Sequence, residues 1–241
     1  MSKLSIKLAS IVLALGSLAP AAIANTVDLY YGPYAYSVGG EFTAVTDPNI
    51  YNQYYNARTL VNVGTAVNPI IGFETFCVQT EVDYTPFNWG GPTYNISTSL
   101  ASVGVPDAFP LTEGAAWLYA QFANGTLSGY NYVNTATRIN DAGILQSALW
   151  ALQGGQSLGG FPSGTSGNPY YNDAVLALGA ANLETPVTAG HSFGVEVLNL
   201  TSQSNPYGPA QNQLVYVPDG GSTVAMLGVA FCGLAMYRRR N

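Results

Sequence analysis

The spacing of apolar positions changes period twice along the chain, and each change predicts a different kind of element. Up to about residue 65 the sequence is rich in Tyr, Gly and β-branched residues. Within it, Gly39 to Val45 and Leu60 to Val63 carry strand patterns. Gly72 to Thr80 (GFETFCVQT) predicts a further strand and Tyr94 to Thr98 another, before turn chemistry takes over at Gly104, Pro106 and Pro110. The middle is helical. Leu111 to Phe122 has apolar residues at Ala115, Leu118, Tyr119 and Phe122, with Thr112 as a weak N-cap. A longer helix is expected over Thr135 to Leu152, stopped by Gly154-Gly155, and a third over Asn172 to Leu183, closed by Pro186. Strand spacing then returns over His191 to Thr201 and Gln213 to Val217. Strands outside and helices inside predict an α+β domain. The expected form is an antiparallel barrel or sandwich with an inserted helical layer.

The two ends break this pattern. Lys3 and Lys7, an apolar run from Leu8 to Leu18, and Ala22-Ile23-Ala24 have the order of an export signal with a small-x-small cleavage site. Cleavage is expected after Ala24, which makes Asn25 the first mature residue. At the other end, Val217-Pro218-Asp219-Gly220-Gly221-Ser222 leads into an apolar run from Thr223 to Tyr237 and then Arg238-Arg239-Arg240. The run is short for a permanent span. It is long enough to pause in a bilayer while the arginines hold the terminus inside, a stop-transfer role. The division expected is therefore residues 1–24 as signal peptide, 25–215 as extracellular domain and 216–241 as tail. The order of motif, apolar helix and basic cluster resembles the PEP-CTERM sorting signal, with Asp-Gly-Gly in place of Glu-Pro. That resemblance implies an exosortase as partner, membrane attachment through the tail before processing, and delivery to the cell surface.

Charge narrows what the exported part does. Two arginines, Arg58 and Arg138, stand against twelve acidic residues between Asn25 and Val217, a net charge of about −10, and that stretch has no lysine. Electrostatic binding to nucleic acid or anionic lipid is excluded on this balance. Cys232 lies in the apolar tail, so Cys77 is the one cysteine of the exported part, and it has no intramolecular disulfide partner there.

Placed on a helical wheel at about 100° per residue, Leu145, Leu149, Leu152, Ala142 and Ala148 share one face of the long helix, with Ile144 extending it. Gln146 falls beside that face between Ile139 and Trp150, and Asn140, Ser147 and Ala151 mark an outward strip. Gln146 is thus expected to be enclosed, where an unpaired amide costs about 1–3 kcal/mol. Phe76-Cys77-Val78, followed by Gln146-Ser147-Ala148-Leu149-Trp150, resembles the thioester domains of bacterial surface adhesins. The resemblance spans about Gly39 to Leu152. It implies that the Cys77 sulfur attacks the Gln146 carbonyl, ammonia leaves, and an internal thioester remains. Phe73, Phe76, Trp117 and Trp150 are the candidates for an apolar cover over it, and an amine on a partner surface is the implied target. The ordinary readings stay open beside this one: Cys77 as a small buried residue, and Gln146 as a backbone hydrogen-bonder. A Cys77–Gln79 bond is disfavoured, because two residues on one face of an extended strand sit too far apart.

Other candidates are weaker. His191 is the single histidine, and neither it nor Cys77 has protease context. One His and one Cys cannot make a zinc site. Glu41, Glu74, Glu81 and Asp83 fit no calcium loop and are expected to be solvated strand-edge charges. Tyr30-Tyr31, Tyr54-Tyr55 and Tyr170-Tyr171 offer a stacking platform for glycans or, more ordinarily, partly buried β residues. The sequons at Asn95 and Asn199 carry little weight. No catalytic residue, metal or cofactor is expected, and the chain is not expected to be an enzyme. Two functions remain. One is a covalent surface adhesin acting through Cys77 and Gln146. The other is a non-covalent structural or glycan-binding component of an exopolysaccharide or biofilm layer.

Overall fold

The computed structural model describes residues 26–36, 39–79, 90–103, 109–154, 167–202 and 210–218. The expected signal peptide, the sorting tail after Pro218, and Glu81 and Asp83 lie outside them.

The strands are β1 (Thr26–Tyr30), β2 (Ala35–Tyr36), β3 (Gly39–Gly40), β4 (Phe42–Asp47), β5 (Leu60–Asn62), β6 (Ile71–Thr75), β7 (Tyr94–Ser99), β8 (Ala101–Ser102), β9 (Phe109–Pro110), β10 (Val195–Ser202) and β11 (Gln213–Tyr216). The helices are α1 (Glu113–Ala123), α2 (Thr135–Leu152) and α3 (Pro169–Leu178). Seven strands form one sheet in the order β11-β10-β7-β1-β4-β6-β5, with every pairing antiparallel. Two short hairpins, β2–β3 and β8–β9, stand apart from it.

The α+β class is as expected, but the expected barrel or sandwich is not formed. The sheet curves until the chain after β6 touches β11 through a single bridge, Cys77 to Gln213. That contact is closed by Val78 N–H to the Asn212 carbonyl and Leu214 N–H to the Phe76 carbonyl, both at 3.0 Å. One bridge joins two strand ends without making a ladder, so no closed barrel results. The strand expected over Gly72 to Thr80 accordingly stops at Thr75 and passes Cys77 to the seam.

The helices cover the concave side. Leu118, Tyr119, Phe122, Leu145, Leu149 and Leu152 pack with Val27, Leu29, Phe73, Val197, Leu198 and Leu214 in one main core. α1 starts where Thr112 accepts from Ala115 N–H at 3.4 Å, and α2 has the expected bounds, capped by Asn134 through Thr137 N–H at 3.1 Å. α3 begins three residues before its expected start, because Asn168 accepts from the amides of Tyr170 and Tyr171 and Pro169 supplies the first turn. It ends at Leu178 before Gly179, and Leu183 lies beyond it, buried in a turn whose neighbouring residues are exposed. The strand expected from His191 begins instead at Val195, after a turn in which Val195 N–H bonds to the Ser192 carbonyl at 2.9 Å. Among the described residues no helix is long and apolar enough to cross a membrane.

Candidate functional site

Cys77 sits on the seam between β6 and β11, so its neighbours Phe76 and Val78 spend their backbone bonds on β11. In an antiparallel strand, alternate residues turn their N–H and C=O to opposite sides. The Cys77 peptide therefore faces away from β11, toward α2. Gln146 pairs with it there. Its Oε1 accepts from Cys77 N–H at 3.0 Å and from Gly40 N–H at 3.4 Å, and its Nε2 donates to the Cys77 carbonyl at 2.8 Å. The two residues are 69 positions apart in sequence and both fully buried.

The thiol points elsewhere. Cys77 Sγ donates to Gln211 Oε1 at 2.8 Å, and Gln213 Nε2 lies 3.6 Å from the sulfur. Cys77 packs with Ala35, Phe42 and Trp150, with Tyr31 against them. This enclosure differs from the one expected. Trp150 belongs to it, whereas Phe73 stacks on Tyr55 at 4.6 Å and Phe76 meets Phe122 at 5.0 Å, both in the main core. Trp117 is half-buried on the outer side of α1. Phe42 and Ala35 take their place because β2, β3 and the start of β4 lie over α2. Two glycines permit that approach. A Cβ on Gly39 would sit 2.9 Å from Gln146 Cγ and 2.9 Å from the Trp150 ring. Gly40 has a φ of 120°, which L side chains rarely adopt.

The same segment is clamped one residue on. Glu41 is buried, and its carboxylate takes Arg138 Nε at 2.9 Å on both oxygens and Arg138 Nη2 at 2.8 Å. Tyr130 donates its hydroxyl to the same group. Arg138 is 2 % exposed; its Nη1 donates to the carbonyls of Arg58 and Tyr132, and its guanidinium lies 3.8 Å over the Tyr34 ring. Glu74, opposite Thr43 in the β4–β6 register, accepts from the Thr43 hydroxyl at 2.6 Å. The expectation that Glu41 and Glu74 are solvated edge charges is therefore corrected: both are 0 % exposed. Burial raises both carboxyls above the ordinary glutamate range, opposed at Glu41 by Arg138 and reinforced at Glu74 by the Glu41 charge.

Three further expectations resolve. Ser147 is not outward but buried, donating to the Gly143 carbonyl at 2.9 Å, while Asn140 is exposed as expected. His191 is exposed ahead of β10, whereas Cys77 is wholly buried. One tyrosine of each doublet at 54–55 and 170–171 is buried, which leaves no continuous platform there. Gly40, Gln211 and Gln213 are part of the site without having been picked out from the sequence. The alternation of Gln211 and Gln213 around a β-strand start was the available signal, since residues two apart share a strand face.

Chemically, Gln146 Oε1 receives two backbone N–H donors, the arrangement that stabilises charge growing on a carbonyl oxygen under attack. The Cys77 thiol belongs to the residue whose backbone this carboxamide pairs, with its own hydrogen bond running to Gln211.

Comparison with known proteins reaches the end of the chain. Residues 216–240 match the VPDSG-CTERM motif. It is a sorting signal of the exosortase type, related to but distinct from the PEP-CTERM signal that the order of parts resembles. Val217-Pro218-Asp219-Gly220-Gly221 departs from the motif's name only at Gly220. The match marks an exported, surface-sorted protein handled by a sorting enzyme of the exosortase or sortase kind. No curated protein and no solved structure matches the chain.

Proposed function

We propose that the exported domain is a covalent surface adhesin, not an enzyme, whose reactive group is an internal thioester between Cys77 and Gln146. The observation that carries this reading is the carboxamide of Gln146 held by two hydrogen bonds to the Cys77 backbone and a third from Gly40 N–H, so that two N–H donors meet on its carbonyl oxygen. In the step, Sγ bonds to the Gln146 side-chain carbonyl carbon, the bond from that carbon to Nε2 breaks, and the thiol proton leaves with the nitrogen as ammonia. Attack exchanges the Sγ–Gln211 hydrogen bond for the new bond. The developing oxyanion stays under Cys77 N–H and Gly40 N–H throughout. Phe42, Ala35 and Trp150 exclude the water that would hydrolyse the product.

A partner amine then attacks the thioester carbonyl, forming an amide and returning the thiol. The exported stretch contains no lysine, so no side-chain amine of its own chain competes. The sorting signal accounts for the setting, since it delivers the domain to the cell surface. Intact mass of the exported protein is the test. A deficit of one ammonia, abolished in Cys77→Ala, is expected. The full sequence mass with a titratable thiol after denaturation excludes the reading and leaves a non-covalent role in the extracellular layer.

A further inference from the structure

On the outer side of the helical layer, α1, the loop after it and α3 border a shallow, open cleft of about 360 Å³. Its walls come from one face of each helix. Trp117 and Gln121 are four apart on α1, and Asp173 and Leu176 are three apart on α3. Thr126 and Ser128, from the connecting loop, complete it.

The two sides of the cleft differ in chemistry. The half-buried Trp117 indole and Leu176, which is 84 % exposed, give an apolar flank. A leucine left that open gains nothing from the core of its own chain. Around it stand oriented polar groups. Thr126 Oγ1 donates to Gln121 Oε1 at 2.8 Å, which takes one of that oxygen's two acceptor sites and fixes the amide with its nitrogen as the donor end. Asp173 supplies an acceptor, and partial burial already raises its carboxyl, so part of its desolvation is met before any ligand arrives. Ser128 either donates or accepts.

An aromatic face beside alternating donors and acceptors suits a ligand with an apolar face and a hydroxyl-bearing edge. A pyranose ring has both. Charge selects among sugars: the cleft contains Asp173 and no cation, on a domain with net charge of about −10. Uronates and sulfated or phosphorylated glycans are disfavoured there, as are nucleotides. We propose that this cleft binds a neutral pyranose, as one unit of a polysaccharide chain, with Trp117 as the stacking platform and Asp173 and Gln121 as the hydroxyl-reading groups. The site stands apart from Cys77 and acts whether or not the thioester forms.

The test titrates the purified exported protein with cellotriose, maltotriose, triacetylchitotriose and trigalacturonate, followed by tryptophan fluorescence and by NMR of the sugar. Saturable binding of at least one neutral trimer is expected by about 10 mM. Trp117→Ala and the milder Asp173→Asn should each weaken it about tenfold, with Cys77→Ala without effect. Circular dichroism of Asp173→Asn, a partly exposed position, separates lost binding from lost folding. Three results overturn the proposal: no neutral trimer binds over that range, trigalacturonate binds better than every neutral trimer, or both cleft variants bind as the parent does.

Discussion

Gln146 serves Cys77 as a neighbouring strand would, taking its N–H at 3.0 Å and giving to its C=O at 2.8 Å through one side-chain amide. The relationship has a structural value that does not depend on any reaction, and the two are separable by mutation. Cys77→Ala keeps the backbone pairing and removes only the thiol. Gln146→Ala removes the side chain that pairs with this buried N–H and C=O. The expected result is that Gln146→Ala destabilises the domain by about 1–3 kcal/mol, clearly more than Cys77→Ala, in chemical denaturation under reducing conditions. Equal losses would show that the edge at Cys77 finds another partner.

Gly40 places the second N–H on the same oxygen at 3.4 Å, from a backbone conformation with φ of 120°. Gly40→Ala is strained there, and its Cβ meets Tyr36 N at 2.8 Å. If the two donors speed attack on Gln146, a refolded Gly40→Ala chain should lose ammonia about tenfold or more slowly than the parent. A mass time course after refolding reads this. Loss at the parent rate would leave Cys77 N–H as the sole effective donor.

Sorting makes a prediction at the other end of the chain. The matched signal includes Pro218-Asp219 and the Arg238-Arg239-Arg240 cluster. Changing Pro218 and Asp219 to alanine should leave export intact but block processing, so an unprocessed form accumulates with the membrane fraction. Replacing the three arginines with serine should weaken retention during export. Fractionation and immunoblotting check both, and normal surface delivery of the Pro218/Asp219 variant would remove the motif from the route.

How far the sequence reaches depends on whether a residue's partner is local. α2 reads correctly from Thr135 to Leu152 because its apolar spacing lies within the helix and the stop at Gly154 follows two residues after it. The enclosure of Gln146 follows from the same wheel, yet that wheel puts Ser147 outside, because a wheel does not show what packs against the helix. Barrel closure was not legible for a related reason: it turns on whether residues 76–78 meet β11 as a ladder or at one bridge, and strand pattern is silent on that. Glu41 and Glu74 show the largest gap. An acidic residue in a strand pattern is ordinarily solvated, and the partner that brings Glu41 inside, Arg138, lies 97 positions away. The sequence did carry a hint, since an arginine on a mostly apolar helix, in a domain with only two, needs a buried counter-charge.

The acid pair sets a pH dependence whose sign can be worked out. Glu74 is buried, one of its oxygens has no hydrogen-bond donor within reach, and the Glu41 carboxylate is near enough to raise its pKa further. A proton on Glu74 serves all three conditions, while Arg138 opposes a proton on Glu41. A carboxyl raised in the folded state binds its proton more tightly there than in the unfolded chain. Its stabilisation is therefore complete below the ordinary glutamate value of 4.5 and is lost as pH rises from there through the folded value. Stability should fall by as much as about 1.4 kcal/mol per pH unit within that window. Glu74→Gln keeps the Thr43 hydroxyl bond and fixes the neutral form, so it should flatten this slope and make the domain more stable near neutral pH. Glu41→Gln should do the reverse, leaving Arg138 a buried, unpaired cation at a loss of about 3–5 kcal/mol. Urea denaturation of the parent and both variants across the acid-to-neutral range distinguishes them. A Glu74→Gln profile parallel to the parent's would place the proton elsewhere, and a mild Glu41→Gln would mean that Tyr34 and the two carbonyls hold Arg138 without its carboxylate.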